Sequence, residues 1–149
     1  DTLIGGNGDD YLDGGERHDV LIGGAGNDTM VGGADRDTFV YQAITDRGDV
    51  INDFAAGSSG DVIDLAAIAA RHAWKGDPFA QGYVRAIQSG SDTLIQVDQD
   101  GGANGYVTMA TLKNVSASAL TSANWEFASS TGSGSLPPAP PPPPPAVSP

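Results

Sequence analysis

Large apolar residues are sparse and evenly spaced over the first 40 residues of the chain. One recurs at every ninth position, as Leu3, Leu12, Leu21, Met30 and Phe39. Each is the middle residue of a three-residue segment, and side chains point alternately to opposite faces along a strand. The pattern therefore predicts a series of very short strands, each of which contributes one apolar side chain to a narrow interior.

Glycine pairs and an aspartate separate these strands and complete a nine-residue repeat. Residues 5–13 read GGNGDDYLD, 14–22 read GGERHDVLI, 23–31 read GGAGNDTMV and 32–40 read GGADRDTFV, after a partial copy, DTLI. The sixth position is always an aspartate: Asp1, Asp10, Asp19, Asp28 and Asp37. Glycine adopts a positive φ easily, so positions one to six predict a tight turn with inward carbonyl oxygens. Carbonyl and carboxylate oxygens are the ligands that Ca²⁺ prefers, and we predict Ca²⁺ as the cofactor.

The pattern G-G-x-G-x-D-x-U-x resembles the calcium-binding repeat of RTX (repeats-in-toxin) proteins. The resemblance implies an all-β fold, a right-handed parallel β-roll in which two repeats make one turn and each ion lies between repeats n and n+2. The implied sites pair Asp1 with Asp19, Asp10 with Asp28, and Asp19 with Asp37. The turns would add the carbonyl groups of Gly6, Gly8, Gly15, Arg17, Gly24, Gly26, Gly33 and Asp35.

Two copies depart from the repeat at its fourth position, where Arg17 and Asp35 replace glycine. Aspartate tolerates left-handed backbone better than arginine does. The site of the second and fourth copies is therefore predicted to be less secure than that of the first and third. A flexible Gly- and Asp-rich segment without metal is the alternative, but it gives the apolar eighth position no role.

Arg17, His18 and Arg36 suggest a small basic strip, because two copies per turn would place them on one edge of the roll. Such a strip could meet an anionic polysaccharide. The alternative, which we favour on sequence grounds, is local charge balance with the adjacent Glu16 and Asp35.

The segments DVINDF (49–54) and GDVIDLAAI (60–68) follow the repeats. They resemble the cap of serralysin-type protease C-terminal domains and, equally, the R-modules of secreted alginate C5-epimerases. Asp49 and Asp53 are candidate additional metal ligands at the last turn. The alternative is that they end strands and accept turn hydrogen bonds.

The rest of the chain predicts a mostly antiparallel β cap with a short helix. A helix is expected over 65–73 and strands over 83–88, 93–97 and 106–112, followed by a helical turn and a closing strand within 117–127. The predicted organisation is a β-roll over 1–40, its cap over 41–128, and a Gly/Ser-rich then Pro-rich linker or tail over 129–149.

Composition narrows the classes of function. The chain has 149 residues, 19 acidic against 7 basic, and a net charge of -12. This charge argues against nucleic acid as a partner, because phosphate binding needs clustered Lys and Arg. Cysteine is absent, which excludes disulfides, and no apolar run reaches the roughly 18 residues of a membrane span.

Motifs of catalysis are missing from the sequence: no H-E-x-x-H, no G-x-S-x-G and no P-loop. We therefore expect a non-catalytic module, secreted through a type I apparatus, that folds on binding Ca²⁺ outside the cell. The first alternative is an alginate-like polysaccharide-binding module of a modular epimerase or other extracellular enzyme. The second is the C-terminal part of an RTX protease, adhesin or haemolysin.

Overall fold

The structure is a computed structural model that describes residues 1–101 and 105–127. The nonapeptide copies form five strands of three residues each: β1 (Thr2–Ile4), β2 (Tyr11–Asp13), β3 (Val20–Ile22), β4 (Thr29–Val31) and β5 (Thr38–Val40). The predicted short strands are thus confirmed. The predicted linker or tail over 129–149 lies outside the described residues.

Successive strands alternate between two parallel sheets, so two repeats make one turn of the roll. β1 pairs with β3 and β3 with β5, whereas β2 pairs with β4. The register brings the eighth positions together, with Leu12 opposite Met30 and Leu21 opposite Phe39. A parallel β-roll is therefore confirmed.

The interior of the roll is formed by two rows of these apolar side chains, one from each sheet. Leu21 and Phe39 are fully buried and Met30 is 1% exposed, whereas their neighbours along each strand are only partly buried. Leu3 packs against the stack while partly exposed. One large side chain per repeat makes a thin core, so the turns must contribute much of the stability of the fold.

Two further strands extend the roll beyond the nonapeptides. β6 (Asp49–Ile51) pairs with β4, and β7 (Val62–Asp64) pairs with β5. Ile51 and Ile63 continue the apolar stacks opposite Met30 and Phe39. These strands carry the roll into the cap without a break in register.

The cap closes both sheets. β8 (Val84–Ser89), β9 (Asp92–Val97) and β10 (Val107–Leu112) form an antiparallel meander, and β10 also pairs with β6. The other sheet ends at β11 (Trp125–Glu126) beside β7. Helix α1 (Ala66–Arg71) and two 3₁₀ turns, Ala117–Ala119 and Ser122–Asn124, complete it. The predicted cap is confirmed, and no helix of the described residues is long and apolar enough to cross a membrane.

Candidate metal sites

The turns of the repeats fall on two opposite edges of the roll, because each turn joins one sheet to the other. We call the edge that carries turns 5–10 and 23–28 the first edge. The second edge carries turns 14–19 and 32–37. Repeats n and n+2 are therefore neighbours on one edge, as the resemblance implied.

The fourth position of each turn is left-handed whichever residue occupies it. Gly8 and Gly26 have φ values of 96° and 114°, and Arg17 and Asp35 have 84° and 72°. A positive φ is unfavourable for residues with a Cβ, and least so for Asp and Asn among them. The strain predicted at position four of the second and fourth copies is therefore present.

Glycine lets neighbouring turns approach closely. An ideal Cβ on Gly24 would collide with the carbonyl oxygen of Gly6, and one on Gly26 would collide with that of Gly8. On the second edge, Gly33 stands in the same relation to the carbonyl of Gly15. The structure thus brings together the glycine turns that were predicted to form shared sites.

The sixth-position aspartates form a hydrogen-bonded ladder along each edge. On the first edge, Asp10 N donates to Asp28 Oδ1 at 2.8 Å. On the second edge, Asp19 N donates to Asp37 Oδ1 at 2.9 Å, and the nitrogen of Asp1 lies 2.6 Å from Asp19 Oδ1. All three predicted pairs of aspartates are therefore adjacent.

The second oxygen of each ladder carboxylate, Oδ2, takes no part in the hydrogen bonds between turns. The Oδ2 atoms of Asp10, Asp19, Asp28 and Asp37 are buried and have no hydrogen-bond partner in the described part of the chain. Buried polar groups are nearly always partnered, and a buried unpaired carboxylate is costly. A cation at each of these oxygens would remove the cost.

A carbonyl oxygen converges with these carboxylate oxygens. An ideal Cβ on Gly5 would lie 2.8 Å from Asp10 Oδ2 and 2.7 Å from the carbonyl oxygen of Gly23, one turn along. Gly14 has the same surroundings, with Asp19 Oδ2 and the Gly32 carbonyl oxygen both at 2.7 Å. Carboxylate and carbonyl oxygens from repeats n and n+2 thus meet at a spot kept open by glycine, which fits Ca²⁺.

Burial disfavours the charged form of these carboxylates when no metal is bound. It raises the pKa of Asp37 to about 6 and that of Asp49 to about 7, and neighbouring aspartates add to both shifts. The pKa of Asp28 is also raised by burial. The ladders therefore favour protons or cations over bare negative charge.

The donor set favours a hard ion. Between residues 1 and 101, and from 105 to 127, no three side chains of His, Cys, Asp or Glu gather as a metal cluster. The available ligands are backbone carbonyls and pairs of aspartates, which suit Ca²⁺ better than zinc or copper.

Asp49 and Asp53 occupy different environments. Asp49 Oδ1 accepts from Asp28 N at 2.9 Å, so Asp49 continues the first-edge ladder. Asp53 uses both oxygens for the turn, with Gly32 N and Gly33 N donating to them at 2.9 Å. Metal binding by Asp49 and by Asp53 stays a prediction, and the geometry favours Asp49 as the ligand.

Arg17, His18 and Arg36 do lie together on the second edge. His18 Nδ1 is 2.8 Å from the carbonyl oxygen of Arg36, and Arg17 N donates to Asp35 Oδ2 at 3.1 Å. The guanidinium of Arg36, however, donates to the carbonyls of Gly60 at 2.7 Å and Ala123 at 2.8 Å. Polysaccharide contact stays a prediction, and Arg36 would have to leave these carbonyls to make it.

Sequence reasoning missed Asp61 and Tyr41. Asp61 Oδ1 accepts from Asp37 N at 2.9 Å and ends the second-edge ladder. The signal was present, because Asp49-Val50-Ile51 and Asp61-Val62-Ile63 both repeat the Asp-x-apolar end of the nonapeptide. Tyr41 is buried beside Asp49, and burial together with the Asp49 charge holds the pKa of the Tyr41 hydroxyl well above its ordinary value; the sequence carries no signal for its position.

Comparisons with known proteins agree with this geometry. A family model, the RTX calcium-binding nonapeptide repeat, matches residues 4–39 with four copies. The chain is similar to the solution structure of the AlgE6R3 subunit from the Azotobacter vinelandii mannuronan C5-epimerase. The match covers 91% of this chain and 76% of that subunit, with 30% sequence identity and a TM-score of 0.64.

The AlgE6R2 subunit from the same epimerase matches at 24% identity over 86% of this chain and 93% of its own length, with a TM-score of 0.47. No curated protein matches the chain significantly.

Proposed function

Because the chain belongs to the family of RTX calcium-binding repeat proteins, we propose that it is a module of a secreted protein that folds on binding Ca²⁺. The observation that carries the proposal is the row of buried, unpartnered Oδ2 atoms in the sixth-position aspartates. At neutral pH these carboxylates oppose the closed turns unless a cation neutralises them. Ca²⁺ bound between repeats n and n+2 supplies that charge.

The thin core of the roll supports the same proposal. Each repeat buries one large side chain, such as Leu21 or Phe39, yet orders nine backbone residues. The entropy lost in ordering the backbone exceeds what one buried side chain returns. Binding free energy of the metal then becomes folding free energy.

Dependence of folding on Ca²⁺ would assist export of the chain from the cell. Cytosolic Ca²⁺ is scarce, so the roll would remain unfolded inside the cell and suit a type I apparatus that passes unfolded chains. Extracellular modules bind Ca²⁺ with dissociation constants of about 10⁻⁴–10⁻³ M, and the chain would fold on reaching that concentration. The module itself is proposed to be non-catalytic.

A Ca²⁺ titration of the whole chain, followed by circular dichroism, tests the proposal. The strand signal is expected to rise cooperatively with Ca²⁺, to fall again with EGTA, and to respond weakly to Mg²⁺. Asp19→Asn should shift the midpoint to higher Ca²⁺, whereas Asp13→Asn, on the exposed ninth position of a repeat, should not. A native spectrum that persists in EGTA at neutral pH would refute the proposal.

Binding to an anionic polysaccharide is a second candidate, favoured by the similarity to an epimerase subunit and by the basic strip on the second edge. Calorimetry with alginate in saturating Ca²⁺ tests it. Arg17→Ala should weaken binding several-fold, and Lys75→Ala, at an exposed residue outside the repeats, serves as a control. Absence of heat with the wild-type module, or equal affinity in both variants, would count against this candidate. Origin from an RTX protease, adhesin or haemolysin stays a prediction.

A further inference from the structure

The five-stranded sheet ends at the cap with two carboxylates on its outer face. In β1, β3 and β5 the residues on that face are Thr, Val or Ile, without a charge. In β7 and β11 the last residues are Asp64 and Glu126, which the parallel register places directly opposite each other. Val40 lies on the other side of Asp64. Two like charges therefore lie side by side at the end of an otherwise uncharged face.

Few contacts hold β11 to the roll. It has two residues, Trp125 and Glu126, and both pair with β7. Leu65 N donates to the carbonyl oxygen of Glu126 at 2.8 Å. The Trp125 ring is buried against Phe79, with ring centroids 5.0 Å apart. Like charges directly opposite each other destabilise a strand pair, and a strand of two residues has few other pairs to offset that repulsion.

Positive charge does not compensate this carboxylate pair. Asp64 is the charged group that acts on the carboxyl of Glu126, and in the described part of the chain no Lys, Arg or His acts on either residue. Of the elements packed around the pair, β5 and the 3₁₀ turn Ser122–Asn124 carry no titratable side chain. Arg71 of α1 and Arg36 of the second edge donate to backbone carbonyls instead. Protonation is therefore the way in which the protein itself can remove the repulsion.

The two carboxyl groups bind protons more tightly in the fold than in the unfolded chain. Burial raises the pKa of Asp64 above its ordinary 3.8 and that of Glu126 above 4.5, and the charge of Asp64 raises the pKa of Glu126 further. A hydrogen bond of 2.9 Å from Ala66 N to Asp64 Oδ1 opposes the rise at Asp64. The contribution of the pair to stability is therefore complete at acidic pH and is lost as the pH rises through the raised pKa values. Pairing of β11 with β7 should weaken in the same direction.

We propose that Asp64 and Glu126 form a pH-dependent latch on β11, which is closed while one of them is protonated and loosens once both are charged. Opening uncovers the edge of β7 and the ring of Trp125, so an apolar surface becomes accessible at the end of the sheet as the pH rises. The latch lies outside the aspartate ladders and is separate from the proposed Ca²⁺ sites. Acidification closes the latch but weakens Ca²⁺ binding by the ladders, so the two effects can be told apart.

Amide hydrogen exchange of the whole chain in saturating Ca²⁺ tests the proposal. The Leu65 amide reports on β11, because it donates to Glu126, and the Tyr41 amide reports on the roll, because it donates to the Asp64 carbonyl oxygen at 3.0 Å. Between about pH 5 and 8, the protection factor of Leu65 should fall about threefold or more, while that of Tyr41 stays constant. Glu126→Gln should abolish the fall, and Asp13→Asn, at the exposed end of β2, should retain it. A Leu65 protection factor independent of pH, or a fall that persists in Glu126→Gln, would overturn the proposal.

Titration of the carboxyl groups by NMR covers the case in which a variant fails to fold. The chain has two glutamates, Glu16 and Glu126, and Glu16 is exposed. In the wild-type chain the side-chain carboxyl carbon of Glu126 should titrate at higher pH than that of Glu16. Asp64→Asn should bring the midpoint of Glu126 closer to that of Glu16, because the opposing charge is gone. Equal midpoints for the two glutamates in the wild type, or an unchanged Glu126 midpoint in a folded Asp64→Asn, would overturn the proposal as well.

Discussion

The backbone nitrogen of Asp19 donates a hydrogen bond of 2.9 Å to Oδ1 of Asp37, while Oδ2 of Asp37 is buried without a partner. One carboxylate thus has two tasks, because one oxygen fixes the neighbouring turn and the other is free for a metal. The same relation repeats at Asp10 and Asp28 on the opposite edge. Stacking of the turns and metal binding are therefore coupled in the same side chain.

Asp37→Asn tests this coupling. The amide can still accept the bond from Asp19 N, but it brings no negative charge to the ion. We expect the Ca²⁺ concentration at the folding midpoint to rise by about tenfold or more, because affinity follows the charge of the ligands. In EGTA the variant should be no less structured than the wild type, because a buried charge has been removed. Calorimetry and circular dichroism measure both effects, and an unchanged midpoint would contradict the assignment of Asp37.

The raised pKa values predict that acidification stabilises the metal-free fold but lowers its affinity for Ca²⁺. The pKa of Asp37 is about 6 and that of Asp49 about 7 in the fold, against 3.8 as the ordinary value. The fold therefore binds more protons than the unfolded chain between these values. The contribution of these groups to metal-free stability is complete below pH 3.8 and is lost as the pH rises through 6 and 7. Urea unfolding in EGTA at several pH values measures it.

Protons and Ca²⁺ compete for the same oxygens, so the apparent Ca²⁺ affinity should fall on acidification. For a carboxylate of pKa about 6, the expected loss between pH 7 and pH 5 is about tenfold. Asp92 provides a contrast, because hydrogen bonds from Asn114 and Lys113 lower its pKa. Asp92→Asn should leave this pH dependence unchanged. An affinity independent of pH over this range would exclude Asp37 from the site.

Much of the roll could be predicted because the nonapeptide determines both the backbone conformation of each turn and the side chain that each strand buries. The nine-residue spacing predicted the strands and the burial of Leu21 and Phe39, and the resemblance to RTX repeats implied the neighbours across each edge. These features depend on one short sequence motif and its own copies. Once the resemblance is granted, the pairing of Asp10 with Asp28 needs no information from the remainder of the chain.

The ends of the roll depend on residues far apart in sequence and were harder to predict. The sequence places Arg36 in a basic strip or in local charge balance, yet its partners Gly60 and Ala123 come from two different segments of the cap. Asp61 was noted only as part of a cap motif, although it ends a ladder of hydrogen bonds. Periodicity cannot show such contacts, because they arise only where the repeat stops.

Gly24→Ala and Gly6→Ala separate backbone strain from steric exclusion. Both glycines have a φ of 90°, but a Cβ on Gly24 meets the carbonyl of Gly6, whereas a Cβ on Gly6 has no atom within 4 Å. Gly6→Ala should cost about 1–2 kcal/mol of unfolding free energy from left-handed strain. Gly24→Ala should cost clearly more and weaken Ca²⁺ binding, because it separates the two turns. Urea unfolding in saturating Ca²⁺ measures both, and equal losses would contradict the close stacking.

Arg36→Ala tests whether the guanidinium joins the roll to the cap. Its hydrogen bonds to the carbonyls of Gly60 and Ala123 would be lost, and hydrogen bonds from a charged donor contribute about 1.5–3 kcal/mol each. We expect a destabilisation of about 2–4 kcal/mol in saturating Ca²⁺. Burial raises the pKa of Asp61 and the Arg36 charge acts against this rise, so the loss should shrink on acidification. Arg17→Ala, on an exposed residue of the same edge, should change stability by less than about 0.5 kcal/mol. If both variants unfolded at the same urea concentration as the wild type, Arg36 would be a surface charge that does not join the roll to the cap.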